Sequence, residues 1–147
     1  MVNMPSLPVP SRRLLRVAAF SVVMLVLAAA SNAVMDTLSF RYGRSVFSRL
    51  GHREWFDPSV SWPNKWKDGD PKNGEAFPLS STALVATTDA WHLAKLLCIS
   101  FIILALLAPF SLLIKLPWWA WALIFLSLKI LWGLVFEGLF AGLFILR

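Results

Sequence analysis

Three long apolar stretches dominate the chain and decide what it can fold into. Residues 17–35 and 96–114 are each 19 residues long without a charged side chain, and in residues 116–146 only Lys129 and Glu137 are charged. A helix needs about 20 mostly apolar residues to cross the hydrocarbon of a bilayer. The sequence therefore predicts an all-α integral membrane protein, a single polytopic domain with transmembrane helices at about residues 15–36, 90–114 and 117–146. The last stretch is either one tilted helix or an interfacial piece (117–128) followed by a span.

Composition excludes the main soluble classes. Of the 147 residues 58% are hydrophobic and 15% are charged, whereas soluble domains contain about 45–50% apolar residues. One small core cannot bury that much apolar surface, which argues against a soluble enzyme domain and against a disordered chain. The net charge of +6 comes from basic residues beside the apolar stretches, so anionic membrane lipids are the expected partners, and nucleic acid is not.

The first apolar stretch has a second interpretation. The segment from Ser11-Arg12-Arg13 to Ser31-Asn32-Ala33 resembles a twin-arginine or general secretory signal peptide. Its apolar run is longer than the usual 7–15 residues of a signal peptide, so we favour a retained helix in a multi-pass protein of a bacterial inner membrane. Basic residues flank both ends of this stretch, so the positive-inside rule leaves the sidedness of the segment 37–88 open.

That segment, residues 37–88, begins with an amphipathic pattern. On a helical wheel Arg41, Arg44 and Arg49 lie opposite an apolar arc, which consists of Phe40, Gly43, Val46, Phe47 and Leu50. The pattern predicts a basic helix in the plane of the bilayer surface, with the arginines bound to lipid headgroups. The alternative is an ordinary helix packed on its own protein.

Residues 55–78 follow as a turn-rich segment that contains Trp55, Trp62 and Trp66. Tryptophan prefers the membrane–water boundary, so we expect an irregular Trp-rich loop on the membrane or on a partner. Residues 68–75 superficially resemble a calcium-binding loop, but Lys72 stands where an oxygen ligand is needed, so a solvated turn is the better interpretation.

Ionisable side chains near the hydrocarbon are energetically costly and therefore carry most of the functional signal. They are Asp36, Asp89, His92, Lys95, Lys129 and Glu137. Asp89 and His92 are three residues apart, which places them on one helical face where they can ligate a divalent cation or form a proton relay. Asp36 or Glu137 would complete such a site, because the predicted topology returns all four to one layer. The alternative is that these side chains only cap and flank the spans.

Small residues predict where helices approach one another. Gly138 and Gly142 form a GxxxG motif, and Gly133 precedes it. Such spacing lets two helix backbones come close, either within the chain or between subunits. The single cysteine, Cys98, lies inside an apolar stretch and is expected to be a small packing residue.

No nucleotide-binding, nucleophile-elbow, zinc-protease or CxxC motif occurs. The leading hypothesis is therefore a non-catalytic accessory or assembly subunit of a larger membrane complex, without a cofactor. One alternative is a protein that handles a metal ion or protons at the membrane interface, as an enzyme or a translocator. It would use Asp89 and His92 with Asp36 or Glu137, and a single divalent metal as its only cofactor. A second alternative is a homo-oligomeric pore.

Overall fold

The computed structural model describes residues 11–139, apart from the side chain of Glu137. Three long helices account for most of it: α1 (Arg12–Arg41), α4 (Ala90–Leu113) and α5 (Trp118–Glu137). Between α1 and α4 lie two short helices, α2 (Arg53–Phe56) and α3 (Pro58–Ser61), and several 3₁₀ turns. The described residues contain no β-strand beyond an isolated bridge between Trp66 and Glu75.

The three long helices are each long and apolar enough to cross a membrane. This confirms the predicted helical class and the number of candidate spans. The third apolar stretch is one uninterrupted helix from Trp118 to Glu137, with no break after residue 128. The rest of that stretch, including Gly142, lies outside the described residues.

The chain divides into two compact units. Among the described residues, unit 1 comprises residues 11–25 and 103–139, and unit 2 comprises residues 26–102. In unit 2, the polar segment folds through local hydrogen bonds. Asp57 caps α3 by accepting from Ser59, and this bond, assisted by Arg53, holds the pKa of the Asp57 carboxyl below its usual value. Glu75 accepts hydrogen bonds from Ser81 and Leu79, which lower the pKa of its carboxyl too.

The predicted calcium-like segment is a turn. The backbone N–H of Lys67 donates to the carbonyl of Gly74, and that of Ala76 donates to the carbonyl of Lys65, both at 3.0 Å. Asp68, with φ of 54°, and Gly69, with φ of 73°, adopt the left-handed conformation at its tip. The Asp70 carboxylate accepts from the backbone of Lys72, as in a local Asx turn.

The predicted amphipathic helix does not form as a separate α-helix. Instead α1 continues to Arg41, and two 3₁₀ turns follow at Tyr42–Arg44 and Val46–Arg49. The hydroxyl groups of Ser45 and Ser48 donate to carbonyls three residues earlier, which competes with α-helical hydrogen bonds. The predicted apolar arc is divided as well, because Phe47 stacks on Phe56 at 5.5 Å whereas Phe40, Val46 and Leu50 stay exposed.

In unit 1, a proline in α4 creates a polar contact between helices. Pro109 has no N–H, so the carbonyl of Ala105, four residues earlier, loses its normal helical donor. The hydroxyl of Ser21 on α1 donates to that carbonyl at 3.1 Å. Nearby, the Arg13 guanidinium donates to the carbonyl of Ser111 at 2.6 Å. The two bonds show that α1 and α4 run antiparallel within this unit.

We expect Ser21→Ala to lower the free energy of unfolding by about 1 kcal/mol, a typical net contribution of an intramolecular hydrogen bond. The same change in a Pro109→Ala background should cost nothing, because an alanine at that position supplies the N–H that the Ala105 carbonyl lacks. Unfolding in detergent micelles, followed by circular dichroism, measures both. Ser31→Ala is the matched control, since that hydroxyl bonds only to Leu27 of its own helix. An equal cost of Ser21→Ala in the two backgrounds would contradict this account.

Candidate functional site

The candidate site lies where the polar segment enters α4, in unit 2. Asp89 immediately precedes α4 and is its N-cap: Oδ1 accepts from the backbone N–H of His92 at 2.9 Å. A carboxylate at this position satisfies an otherwise unpaired N–H and opposes the positive end of the helix dipole. The side chain of Asp89 is 0% exposed. A fully buried carboxylate needs several donors, and the surrounding residues provide them.

The second oxygen of Asp89 binds the His92 ring. Oδ2 lies 2.6 Å from Nδ1 of His92 and 3.0 Å from the hydroxyl of Thr88. Since a carboxylate accepts at both oxygens, Nδ1 carries a proton and donates it to Oδ2. His92 is 13% exposed at its side chain, and Nε2 has no hydrogen-bond partner among the described residues. The pair therefore presents an oriented imidazole with one nitrogen unused.

Aromatic rings surround this imidazole. The Trp91 ring meets it edge-on with 5.1 Å between centroids, and the Trp62 ring does so at 6.5 Å. Trp62 and Trp91 also meet each other at 5.5 Å, and the ammonium group of Lys95 lies 5.5 Å from the Trp91 ring. We call Trp62, Trp91 and His92 the aromatic cluster. It restricts the approach of water to the buried carboxylate.

Hydrogen bonds between residues far apart in the sequence hold the aromatic cluster and the backbone beside it. The indole N–H of Trp91 donates to the hydroxyl of Ser39 on α1 at 2.9 Å. The Asn64 amide donates to the carbonyl of Glu54 at 2.8 Å and to that of Thr88 at 3.2 Å. Asn64 thus ties α2 to the residue that precedes the capping carboxylate. The start of α4, the end of α1 and the polar segment are held together within unit 2.

Of the two residues predicted to complete the site, the structure places Asp36 away from it. Asp36 is exposed and accepts from Asn32 at 3.2 Å, and no hydrogen bond or ion pair joins it to Asp89 or His92. The side chain of Glu137 lies outside the described residues. Among the described residues no three His, Cys, Asp or Glu side chains are placed to hold one metal ion.

The geometry limits which atoms of Asp89 and His92 could bind a metal ion. Nδ1 of His92 is engaged in the 2.6 Å hydrogen bond to Oδ2 of Asp89 and is not available to ligate a cation in this arrangement. An ion would bind Nε2 of His92, with Asp89 orienting the ring from behind. Metal binding itself stays a prediction.

The three arginines predicted to bind lipid headgroups are all exposed, as are Phe40, Val46 and Leu50 beside them. They follow α1 directly, without the regular amphipathic spacing that the sequence suggested. Gly133 lies on α5 and Gly138 is the residue that caps its C-terminus, and a Cβ at either position would meet nothing within 4 Å among the described residues.

Comparison of the chain with protein-family models, with curated proteins and with solved structures gave no match. The chemistry of the site is therefore argued from its own geometry.

Trp62 and Asn64 were not singled out by the sequence as site residues. The sequence predicted Trp62 to lie at the membrane boundary as one of three loop tryptophans, and it gave no signal at Asn64. Their partners lie 24 to 30 residues further along the chain. No periodicity links residues at that separation, so the only available signal was the concentration of tryptophan around the candidate pair.

We expect His92→Ala to destabilise the protein by about 3 kcal/mol or more, because it leaves the Asp89 carboxylate buried without its partner. The matched control is His52→Ala, since the only other histidine has a side chain that is 71% exposed. Thermal unfolding of both variants in the same detergent measures the difference. Equal stabilities of the two variants would show that the Asp89–His92 bond does not hold the site.

Proposed function

We propose that the chain is a three-span membrane protein and acts as a non-catalytic accessory or assembly subunit of a larger membrane complex. The observation that carries the proposal is α5, which the rest of the described chain leaves almost uncovered. None of the residues in its apolar 18-residue window is buried. A bilayer and partner helices together would account for such a helix.

The membrane location is supported by all three long helices. Only 6%, 11% and 0% of their most apolar windows are buried in α1, α4 and α5. Water-soluble proteins rarely expose contiguous apolar patches larger than a few hundred Å². Lipid hydrocarbon is the solvent that suits these surfaces.

The role as a subunit is supported by the second half of α5. Residues 130–135 are exposed at every position, so no face of that segment is covered by the described chain. Gly133 and Gly138 have open space where a Cβ would stand. Small residues permit close approach of a second helix, and the described chain does not use that space.

The bilayer surface is the proposed place of the segment around Arg41, Arg44 and Arg49. These exposed guanidinium groups lie beside exposed Phe40 and Val46 at the end of a candidate span. Arginine pairs with phosphate while neighbouring apolar side chains enter the interface. Anionic lipids are the proposed partners there.

Native mass spectrometry of the tagged full chain, extracted gently from its own membrane, tests the role as a subunit. We expect other membrane proteins at fixed stoichiometry. Gly138→Leu should remove them, because its side chain fills the space proposed for a partner helix. Ala19→Leu, at an exposed alanine of α1, should leave them bound.

A chain that is recovered alone would contradict the role as a subunit. Recovery as a homo-oligomer that Gly138→Leu dissociates would instead support the pore hypothesis.

A second candidate function is proton handling by Asp89 and His92. It is favoured by the buried carboxylate, which holds Nδ1 at 2.6 Å and leaves Nε2 without a partner among the described residues. An imidazole held in one orientation can accept a proton at Nε2 while the carboxylate stabilises the resulting charge.

Vesicles that contain the purified protein and a trapped pH indicator test this candidate. An imposed pH gradient should decay faster than in empty vesicles, and His92→Gln should abolish the difference while His52→Gln should not. Equal decay in wild-type and empty vesicles would refute proton translocation by the isolated chain.

A further inference from the structure

A groove of about 540 Å³ lies in unit 1, between α1, α4 and α5. This volume is within the range of about 300–1,000 Å³ that is typical of small-molecule sites. Its position is independent of the Asp89–His92 site, which belongs to unit 2. All the residues that line it are described.

The two ends of the groove differ in chemistry. Arg16, Ser111 and Trp121 lie toward one end, and Phe20, Leu104 and Phe125 lie toward the other. The hydrogen bonds from Arg13 to Ser111 and from Ser21 to Ala105 place the start of α1 beside the end of α4. Along α1, Phe20 lies about 6 Å beyond Arg16, and along α4, Leu104 lies about 10 Å from Ser111.

Charge decides which molecule fits such a groove. Arg16 is exposed, and its guanidinium is the only charged group among the groove residues. Arg12 and Arg13 precede it by one turn, and no acidic residue lies among residues 11–35 of α1. The groove thus joins a cationic entrance to an apolar interior. Its complement is an amphiphile with an anionic head and a hydrocarbon tail.

We propose that this groove binds one anionic phospholipid, with the phosphate on Arg16 and one acyl chain along Leu104, Ala108 and Phe125. This inference rests on the membrane location proposed above. Trp121 supports it, because an indole ring is suited to the boundary between headgroups and hydrocarbon. Arg13 is already engaged with the carbonyl of Ser111, which leaves Arg16 as the guanidinium that the phosphate meets.

The test is native mass spectrometry of the full chain in detergent with an equimolar mixture of phosphatidylglycerol and phosphatidylcholine that carry the same acyl chains. We expect one retained phosphatidylglycerol per chain. Arg16→Gln should weaken its retention about fivefold, the effect of one basic residue on anionic lipid. Lys72→Gln, at an exposed lysine of unit 2, is the matched control and should leave retention unchanged.

Two further variants test whether the apolar part of the groove holds the acyl chain. Ala108→Phe fills the groove without changing charge and should abolish retention of the lipid. Ala122→Phe, at an exposed lining position, should do the same and provides a second test if the first variant does not fold. Retention that neither variant nor Arg16→Gln reduces would overturn the proposal, and so would equal retention of the two lipids.

Carbonate extraction of membranes separates this test from the membrane location. Recovery of wild-type chain in the carbonate-washed membrane pellet, without selective retention of phosphatidylglycerol, would overturn the lipid site alone. Recovery in the soluble fraction would overturn the proposed location.

Discussion

Asp89 is a buried carboxylate at the start of an apolar helix, and a buried carboxylate must accept hydrogen bonds from several donors. The structure of unit 2 around the start of α4 provides these donors. The backbone N–H of His92, the His92 ring and the Thr88 hydroxyl supply these donors. Each donor is itself held by packing or by other bonds. Asp89 and His92 therefore begin α4 and also lie where the polar segment is bonded to that helix.

The same requirement operates in unit 1. A proline in an apolar helix leaves a carbonyl without its helical donor, and Ser21 supplies the missing donor. Arg13 satisfies another carbonyl near the end of α4. These two bonds set α1 against α4, and the groove lined by Arg16 lies in the register that they fix. These two polar contacts thus set the register of helices whose surfaces are otherwise apolar.

Hydropathy was sufficient to predict the three long helices, because a run of about 20 apolar residues has few other structures available to it. The spacing of Asp89 and His92 correctly indicated that they share a helical face. The hydrogen bond between them, one of the two arrangements that this spacing allowed, is present at 2.6 Å. The segment after α1 was predicted wrongly as one amphipathic helix, since serine hydroxyls at positions 45 and 48 bond to the backbone there and favour 3₁₀ turns. Contacts such as that from Asn64 to Thr88 depend on the tertiary fold and produce no periodic pattern in the sequence.

The central claim is that Asp89 holds the His92 ring by its Nδ1 proton and leaves Nε2 unprotonated when the ring is neutral. The most direct measurement is the ¹⁵N NMR spectrum of protein labelled only at histidine, which has just two such residues. We predict a strongly hydrogen-bonded Nδ1 proton for one ring, assigned to His92 by its loss in His92→Gln and shifted in Asp89→Asn. A His92 ring that exchanges freely between tautomers, like exposed His52, would contradict the account.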